Sequence, residues 1–379
     1  MERSIERILT THTGSLPRPD DLLALVRDKN EGRPRDAAAI DDRVRAAVAD
    51  VVQRQLATGL DIINDGEQSK PDYSTYIRNR FTGFEGEPLA LPMNADLKDF
   101  PDFAARSQSA RLASGPSCSG PIAWKDWPAV EKDIDNLKKA VAGSGAQEVF
   151  MTSVSPGQAA RFLPNRYYGS DEAYLAALAE ALGREYTAIV NAGFLLQLDC
   201  PDLASGRNNQ FQHLTLAEFQ KVAEMHVELL NHAVADIPPD RMRLHVCWGN
   251  YEGPHHRDVP LRDIIAVLLK ARPAGLSFEG ANPRHAHEWK LFEEAKPPGG
   301  KVIIPGAIDS TTNFIEHPEL VAQRIVQHAR LVGRENVIAG ADCGFATFAH
   351  RPVVDPDIAW AKLRSLVEGA RLASRELWK

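Results

Sequence analysis

The chain has 379 residues, 44% of them hydrophobic and 25% charged, with a formal net charge of −7 and a pI near 6.0. That length suits two average domains or one large α/β barrel, and the acidic balance argues against a general nucleic-acid or anionic-membrane surface. No apolar run reaches the roughly 18–20 residues needed to span a bilayer, and the N-terminal Met1-Glu-Arg-Ser-Ile-Glu-Arg7 lacks a signal-peptide core, so a cytoplasmic location is expected.

Short apolar runs alternate with longer amphipathic stretches. In chain order, strands are predicted at residues 7–12, 61–65, 148–153, 194–199, 241–247, 276–279, 302–305 and 337–342. Helical spacing is predicted over 36–58, 171–191, 215–236, 261–271, 285–295 and 317–332, and a closing helix over 356–377. Eight strands alternating with helices point to a parallel α/β architecture, expected to be one (β/α)8 TIM barrel domain over 1–379. A doubly wound open sheet is the alternative. No Gly-x-Gly-x-x-Gly follows the first strand, so a dinucleotide-binding version has little support. Residues 82–127 break the alternation. They are rich in Gly, Pro and aromatic residues and read as an ordered excursion, a hairpin folded over one barrel end.

Barrel chemistry gathers at the C-terminal ends of strands, and the polar residues follow that rule. Strand ends carry Thr13 and Ser15, Asp65 and Glu67, Asp199 and Asp202, His245 and Cys247, Glu279, and Asp342 and Cys343; Asp309 follows the seventh strand. Asp65 or Asp342 could instead cap a following helix. Four cysteines in a chain this long form no disulfide framework. His245 and Cys247 lie at i and i+2 of a strand and so share a face. With Glu279 and Cys343 they make a plausible four-ligand Zn2+ set of N, S and O donors. Cys118 and Cys200 could substitute as ligands but have no histidine at close spacing. His255-His256, in a Gly-Pro-rich turn, is expected to be exposed or part of a lid. His285 and His287 open a predicted helix, where i and i+2 do not share a face. Two thiolates and a carboxylate around Zn2+ favour holding a substrate thiolate, and S-alkylation is the reaction class suggested. A purely structural zinc in a non-enzymatic barrel is the bland alternative.

These residues resemble the catalytic C-terminal barrel of the cobalamin-independent methionine synthase family. The matching stretches are Thr10-Thr-His-Thr-Gly-Ser-Leu-Pro17, Asn64-Asp-Gly-Glu67, Leu196-Gln-Leu-Asp199, His245-Val-Cys247, Leu276-Ser-Phe-Glu279 and Gly340-Ala-Asp-Cys-Gly344. They span nearly the whole chain in family order. The resemblance implies a (β/α)8 barrel, zinc on His245, Cys247, Glu279 and Cys343, and a thiol amino acid such as homocysteine against Thr13, Ser15, Glu67 and Asp199. Glu67 and Asp199 suit its ammonium, and backbone N–H groups near Ser15 suit its carboxylate.

The departures concern the other substrate. The family's second barrel has no room here. The last carboxylate of its Asp-Glu-Pro-Ala-Leu-Arg-Glu pattern reads Ser205, its acid histidine reads Thr311, its Arg-Cys pair reads Ser117-Cys118, and its pterin-facing tryptophan has no clear equivalent. The expectation is a zinc-dependent methyltransferase acting on a small thiol in methionine biosynthesis, with methyl-folate or a methyl-corrinoid as donor. Asp309 is a candidate for proton handling. The alternative resembles epoxyalkane:coenzyme M transferase, where Arg18, Arg161 or Arg166 should line the pocket and the alkyl donor is an epoxide. A homo-oligomer is compatible with the sequence.

Overall fold

The computed structural model describes all residues except 31–32, 34–35, 108–113 and 350–352. Residues 108–113 of the predicted excursion therefore lie outside the described residues. Ten strands are described: β1 (Leu9–Thr10), β2 (Ile62–Ile63), β3 (Gly86–Ala90), β4 (Ser114–Ser117), β5 (Glu148–Val154), β6 (Leu195–Asp199), β7 (Met242–Val246), β8 (Gly275–Phe278), β9 (Val302–Ile308) and β10 (Ile338–Ala341). Eight of them form one parallel sheet in the order β1-β10-β9-β8-β7-β6-β5-β2. This is a TIM barrel. β3 and β4 pair antiparallel as a separate hairpin within the excursion.

The barrel closes between β1 and β2 without a regular ladder. Asp61 N donates to Thr10 O at 3.2 Å, and the Asp61 carboxylate accepts from Thr10 N at 2.8 Å and Thr10 Oγ1 at 2.9 Å. Thr11 Oγ1 adds a bond to Ile62 O at 3.1 Å.

The described α-helices are α1 (Asp20–Asn30), α2 (Ala37–Thr58), α3 (Ala95–Lys98), α4 (Pro101–Arg106), α5 (Trp127–Val141), α6 (Pro156–Phe162), α7 (Asp171–Asn191), α8 (Leu216–Ala233), α9 (Leu261–Leu268), α10 (Pro318–Val332) and α11 (Pro356–Leu377). Several begin where a cap dictates. Asp36 accepts from Ala38 N, Ser170 from Ala173 N, and Thr215 forms a reciprocal capping box with Glu218. The helix predicted over 285–295 is instead a 3-10 helix, Glu288–Glu293. His285 is held between Asp258 and Glu288, and Pro297-Pro298 stop any extension. The excursion ends earlier than predicted, because Asp126 caps α5 and Trp127 already belongs to it.

Alternate residues of each strand face the barrel interior and stack in layers. Leu9, Ile62, Phe150, Leu195, Val302, Ile304 and Ile338 pack together as an apolar floor. Above them Arg243 lies over the Phe150 ring at 3.8 Å and donates to Gln197 Oε1 at 2.6 Å and Thr11 Oγ1 at 2.9 Å. Along β6 the succession Leu195, Gln197, Asp199 therefore runs from apolar floor to polar mouth. Arg243 and His245 on β7 and Cys247 just after it climb the same way.

Candidate metal and substrate site

The strand ends bring His245, Cys247 and Cys343 together. One ligand atom from each lies within 4.8 Å of the other two, and all three residues are buried. His245 Nδ1 faces Ser277 Oγ at 3.3 Å, while Nε2 is buried with no hydrogen-bond partner. An orphaned imidazole nitrogen beside two free thiols is a donor set that could hold a metal ion. The Cys343 thiol donates toward Cys247, and with the nearby His245 imidazole this pulls the Cys247 thiol well below its usual range against burial. The same contact, reinforced by burial, pushes Cys343 well above it.

Glu279 stands next to this trio but is turned from it. Its Oε1 accepts from Trp248 N at 2.7 Å and its Oε2 from Asn282 Nδ2 at 3.0 Å. Burial pushes its carboxyl up to about 8, with the Cys247 and Asp342 charges adding to the effect and His285 opposing it. Asp342 does not cap a following helix. Its carboxylate gathers Gly280 N, Ala281 N and Asn282 N at 2.6–2.9 Å, tying the turn after Glu279 to the residue before Cys343. Gly306 permits this approach, since a Cβ there would lie 1.8 Å from Asp342 Oδ1.

A cavity of about 140 Å³ opens beside the trio. Thr13, Ser15, Glu67 and Asp199, assigned to substrate at the sequence level, all line it together with His245, Cys247 and Cys343. Glu67 adopts a left-handed φ of 55°, a costly conformation for a non-glycine residue. Its Oε1 accepts from Thr152 Oγ1 at 2.9 Å, and its buried Oε2 has no partner. Gly14 makes room for this side chain: a Cβ there would meet Glu67 Oε1 at 2.8 Å. Asp199 Oδ1 accepts from Gln197 Nε2 at 2.7 Å, so the Arg243–Gln197 layer sets its orientation. Burial and then the Glu67 charge push the Asp199 carboxyl well above the usual range. Two crowded carboxyls with an unpartnered oxygen form a site that a cation would stabilise.

Asp309 does not line the cavity. Its carboxylate closes a local turn, accepting from Thr311 N and Oγ1 at 2.8 Å and from Thr312 Oγ1 at 2.9 Å. His255 is buried rather than exposed, with Nδ1 on Asp258 at 2.6 Å. Arg18 donates to the Ala346, Glu67 and Lys70 carbonyls, and Arg166 is exposed; neither lines the cavity, whereas Arg161 does.

No family model matches the chain. It is similar along nearly its whole length to methionine synthase of Saccharolobus solfataricus, 24% identical over 372 residues covering 97% of this chain and 95% of the relative. It is equally similar to the uncharacterized protein YxjH of Bacillus subtilis, 24% identical over 375 residues covering 97% and 94%. Among solved structures, the B12-independent methionine synthase of Shewanella sp. W3-18-1, solved with selenomethionine, superposes with a TM-score of 0.74. It is 21% identical, with 98% of this chain and 99% of that one covered. The chain is thus similar over nearly its whole length to methionine synthases, and it shares the fold of the B12-independent methionine synthase.

The part of the cavity wall that sequence reasoning missed is aromatic and loop-borne. Tyr73, Phe162, Tyr251 and Phe348 line it, as do Asn94 from the excursion and Asn250. Tyr73 and Phe348 meet edge to face at 5.9 Å, and the Tyr73 hydroxyl accepts from Gln158 Nε2 at 2.7 Å. None of these residues sits at a predicted strand end, and no periodicity marks them. Of the family departures, Ser205 lines the cavity, while Thr311 belongs to the Asp309 turn.

Proposed function

We propose that this chain is a methyltransferase that alkylates the sulfur of homocysteine to make methionine. The observation that carries this reading is the unpartnered His245 Nε2 beside two thiols, opening onto a cavity shared with Glu67 and Asp199. The named activity of the full-length relatives supports it.

His245, Cys247 and Cys343 would hold Zn2+, with Glu279 adjacent as a fourth oxygen ligand once it releases Trp248 N. When bound, the ion supplies a thiolate at neutral pH that keeps much of its nucleophilicity. The remaining tasks fall to the chain itself. Glu67 and Asp199 pair with the ammonium of the amino acid, and Gln197 holds Asp199 toward it. Backbone N–H groups near Ser15 face the substrate carboxylate. The aromatic loop wall excludes water from the sulfur. Asp309, engaged in its turn, acts on the loop after β9 and not on a reacting atom. We place the protein in the cytoplasm and treat residues 1–379 as one catalytic unit.

The test is a thiol-by-donor activity matrix on the metal-loaded protein, with homocysteine and coenzyme M against methyl-folate, methylcobalamin and epoxypropane. Methionine formation from homocysteine is expected with one methyl donor. Turnover of coenzyme M with epoxypropane alone would replace this reading. In cobalt-substituted protein, homocysteine should shift the visible absorption as sulfur enters the metal shell; an unchanged spectrum would remove the thiolate role.

A further inference from the structure

We propose that Arg161, seated on the Ser205 hydroxyl, is an anion-reading residue that binds a carboxylate or sulfonate carried by one of the two substrates. The proposal rests on the cavity being the substrate site, as read above.

Arg161 lies in the last turn of α6, whose start is fixed by the Ser155 cap at the end of β5. Its Nη1 donates to Ser205 Oγ at 2.8 Å, and Ser205 in turn donates to Pro201 O at 2.9 Å. That is the one side-chain hydrogen bond Arg161 makes among the described residues, although a guanidinium offers five donors. No carboxylate among the described residues lies within ion-pair distance of it. Asp202, whose field reaches it, already accepts from Ser155 Oγ at 2.7 Å and pairs with His226 Nδ1 at 2.8 Å.

The contrast with the fully buried arginines is plain. Arg80 holds Asp133 and Glu185, Arg18 reaches three carbonyls, and Arg243 has three oxygen partners. Each of those spends at least two guanidinium nitrogens on fixed partners, although Arg18 Nε is left without one. Arg161 has a neutral hydroxyl, the Phe162 ring at 5.0 Å, and the cavity. Burial draws its guanidinium below the usual range, with Tyr73 and Cys247 opposing that, yet an arginine stays charged at neutral pH. Arg161 is half-buried and faces the cavity without a counter-charge, a position that an anion in the cavity would stabilise. Its planar fork suits a carboxylate or sulfonate bidentately. The cavity is thus bipolar, with Glu67 and Asp199 for a positive group and Arg161 for a negative one.

The anion can belong to the thiol or to the alkyl donor, and titration calorimetry on the metal-loaded protein separates the two. The first arm compares 3-mercaptopropionate and coenzyme M with neutral 2-mercaptoethanol. The second, with homocysteine saturating, compares butyrate and propane-1-sulfonate with 1-propanol. In at least one arm the acids should bind about tenfold or more tighter than the neutral ligand, the scale of one charge-assisted hydrogen bond. Arg161→Met should abolish that preference and Arg161→Lys should keep part of it. Ser205→Glu should also abolish it, by giving Arg161 an internal carboxylate. Metal content and melting temperature serve as folding controls. A preference in the first arm alone assigns the anion to the thiol; one in the second assigns it to the donor. Equal binding of acids and neutral ligands in both arms, or a preference unchanged in Arg161→Met, overturns the proposal. An Arg161-dependent preference without any homocysteine effect on the cobalt spectrum would leave the anion site standing and remove the alkylation reading instead.

Discussion

The two walls of the cavity are built differently. One consists of strand ends: His245, Cys247, Cys343, Asp199 and the residues just after β1 and β2. Each is oriented from below by a buried layer, as Gln197 orients Asp199 and Ser277 faces His245. The other wall consists of loops and short helices, which bring in Tyr73, Arg161, Phe162, Tyr251 and Phe348. The first wall is tied to the barrel register, so its chemistry is fixed by which strand ends where. The second can change residue by residue without disturbing the ladder. An enzyme built this way can hold its sulfur chemistry constant while its second substrate changes.

That division can be broken by experiment. The largest effect is expected from the strand wall. Cys247→Ser or Cys343→Ser should lose the bound metal, and activity should fall by more than the roughly 10–100-fold that follows loss of an outer hydrogen-bond partner. Elemental analysis checks this, and stoichiometric zinc retained in both variants would sink the ligand assignment. Next, Asp199→Asn or Glu67→Gln should raise KM for homocysteine by about 10–100-fold, matching a charge-assisted bond, with metal content intact. Steady-state kinetics that show kcat falling at constant KM would move these residues from binding to chemistry. On the loop wall, Tyr73→Phe and Phe348→Leu should change KM for the alkyl donor by roughly 2–10-fold, the scale of an aromatic contact. Loss of metal in either would erase the distinction between the walls.

The smallest effect concerns the scaffold alone. His12 is buried and neutral, accepting from Gly14 N at Nδ1 and donating from Nε2 to Gln55, and burial lowers it from 6.5 to about 3. Burial also lowers His328 from 6.5 to about 4. The unfolded chain therefore binds more protons over that interval, so stability contributed by both is complete above pH 6.5 and lost as pH falls toward 4. Melting temperature should drop across that window, and His328→Leu should flatten the slope. A slope unchanged in that variant would exclude His328 as a contributor.

Much of the fold was legible because its signals are local. Buried apolar runs mark all eight barrel strands, and α7 and α11 run over the residues expected, because a Ser-Asp-Glu cap and a first-turn proline fix their starts. The thiol–imidazole trio was legible because those groups are chemically rare and stand at strand ends. The orientation of Glu279 was not, since it depends on a peptide N–H of the neighbouring strand's loop. Nor was the fate of Asp309, whose local turn competes with any reach into the cavity. His255 looked exposed because its neighbours are Gly and Pro; its burial comes from Asp258 and the excursion residue Asp96. The loop wall gave no signal, because aromatic and arginine side chains on irregular backbone have no period to read.

The irregular seam between β1 and β2 has a dynamic consequence. Elsewhere, opening the barrel means breaking a run of interstrand backbone bonds; here it requires releasing Asp61 and two threonine contacts. Amide exchange should be fastest at this seam. Thr13, Ser15 and Glu67 lie directly beyond it, so transient parting of the seam would widen the cavity on the Glu67 side and leave His245 and Cys247, three and more strands away, at rest.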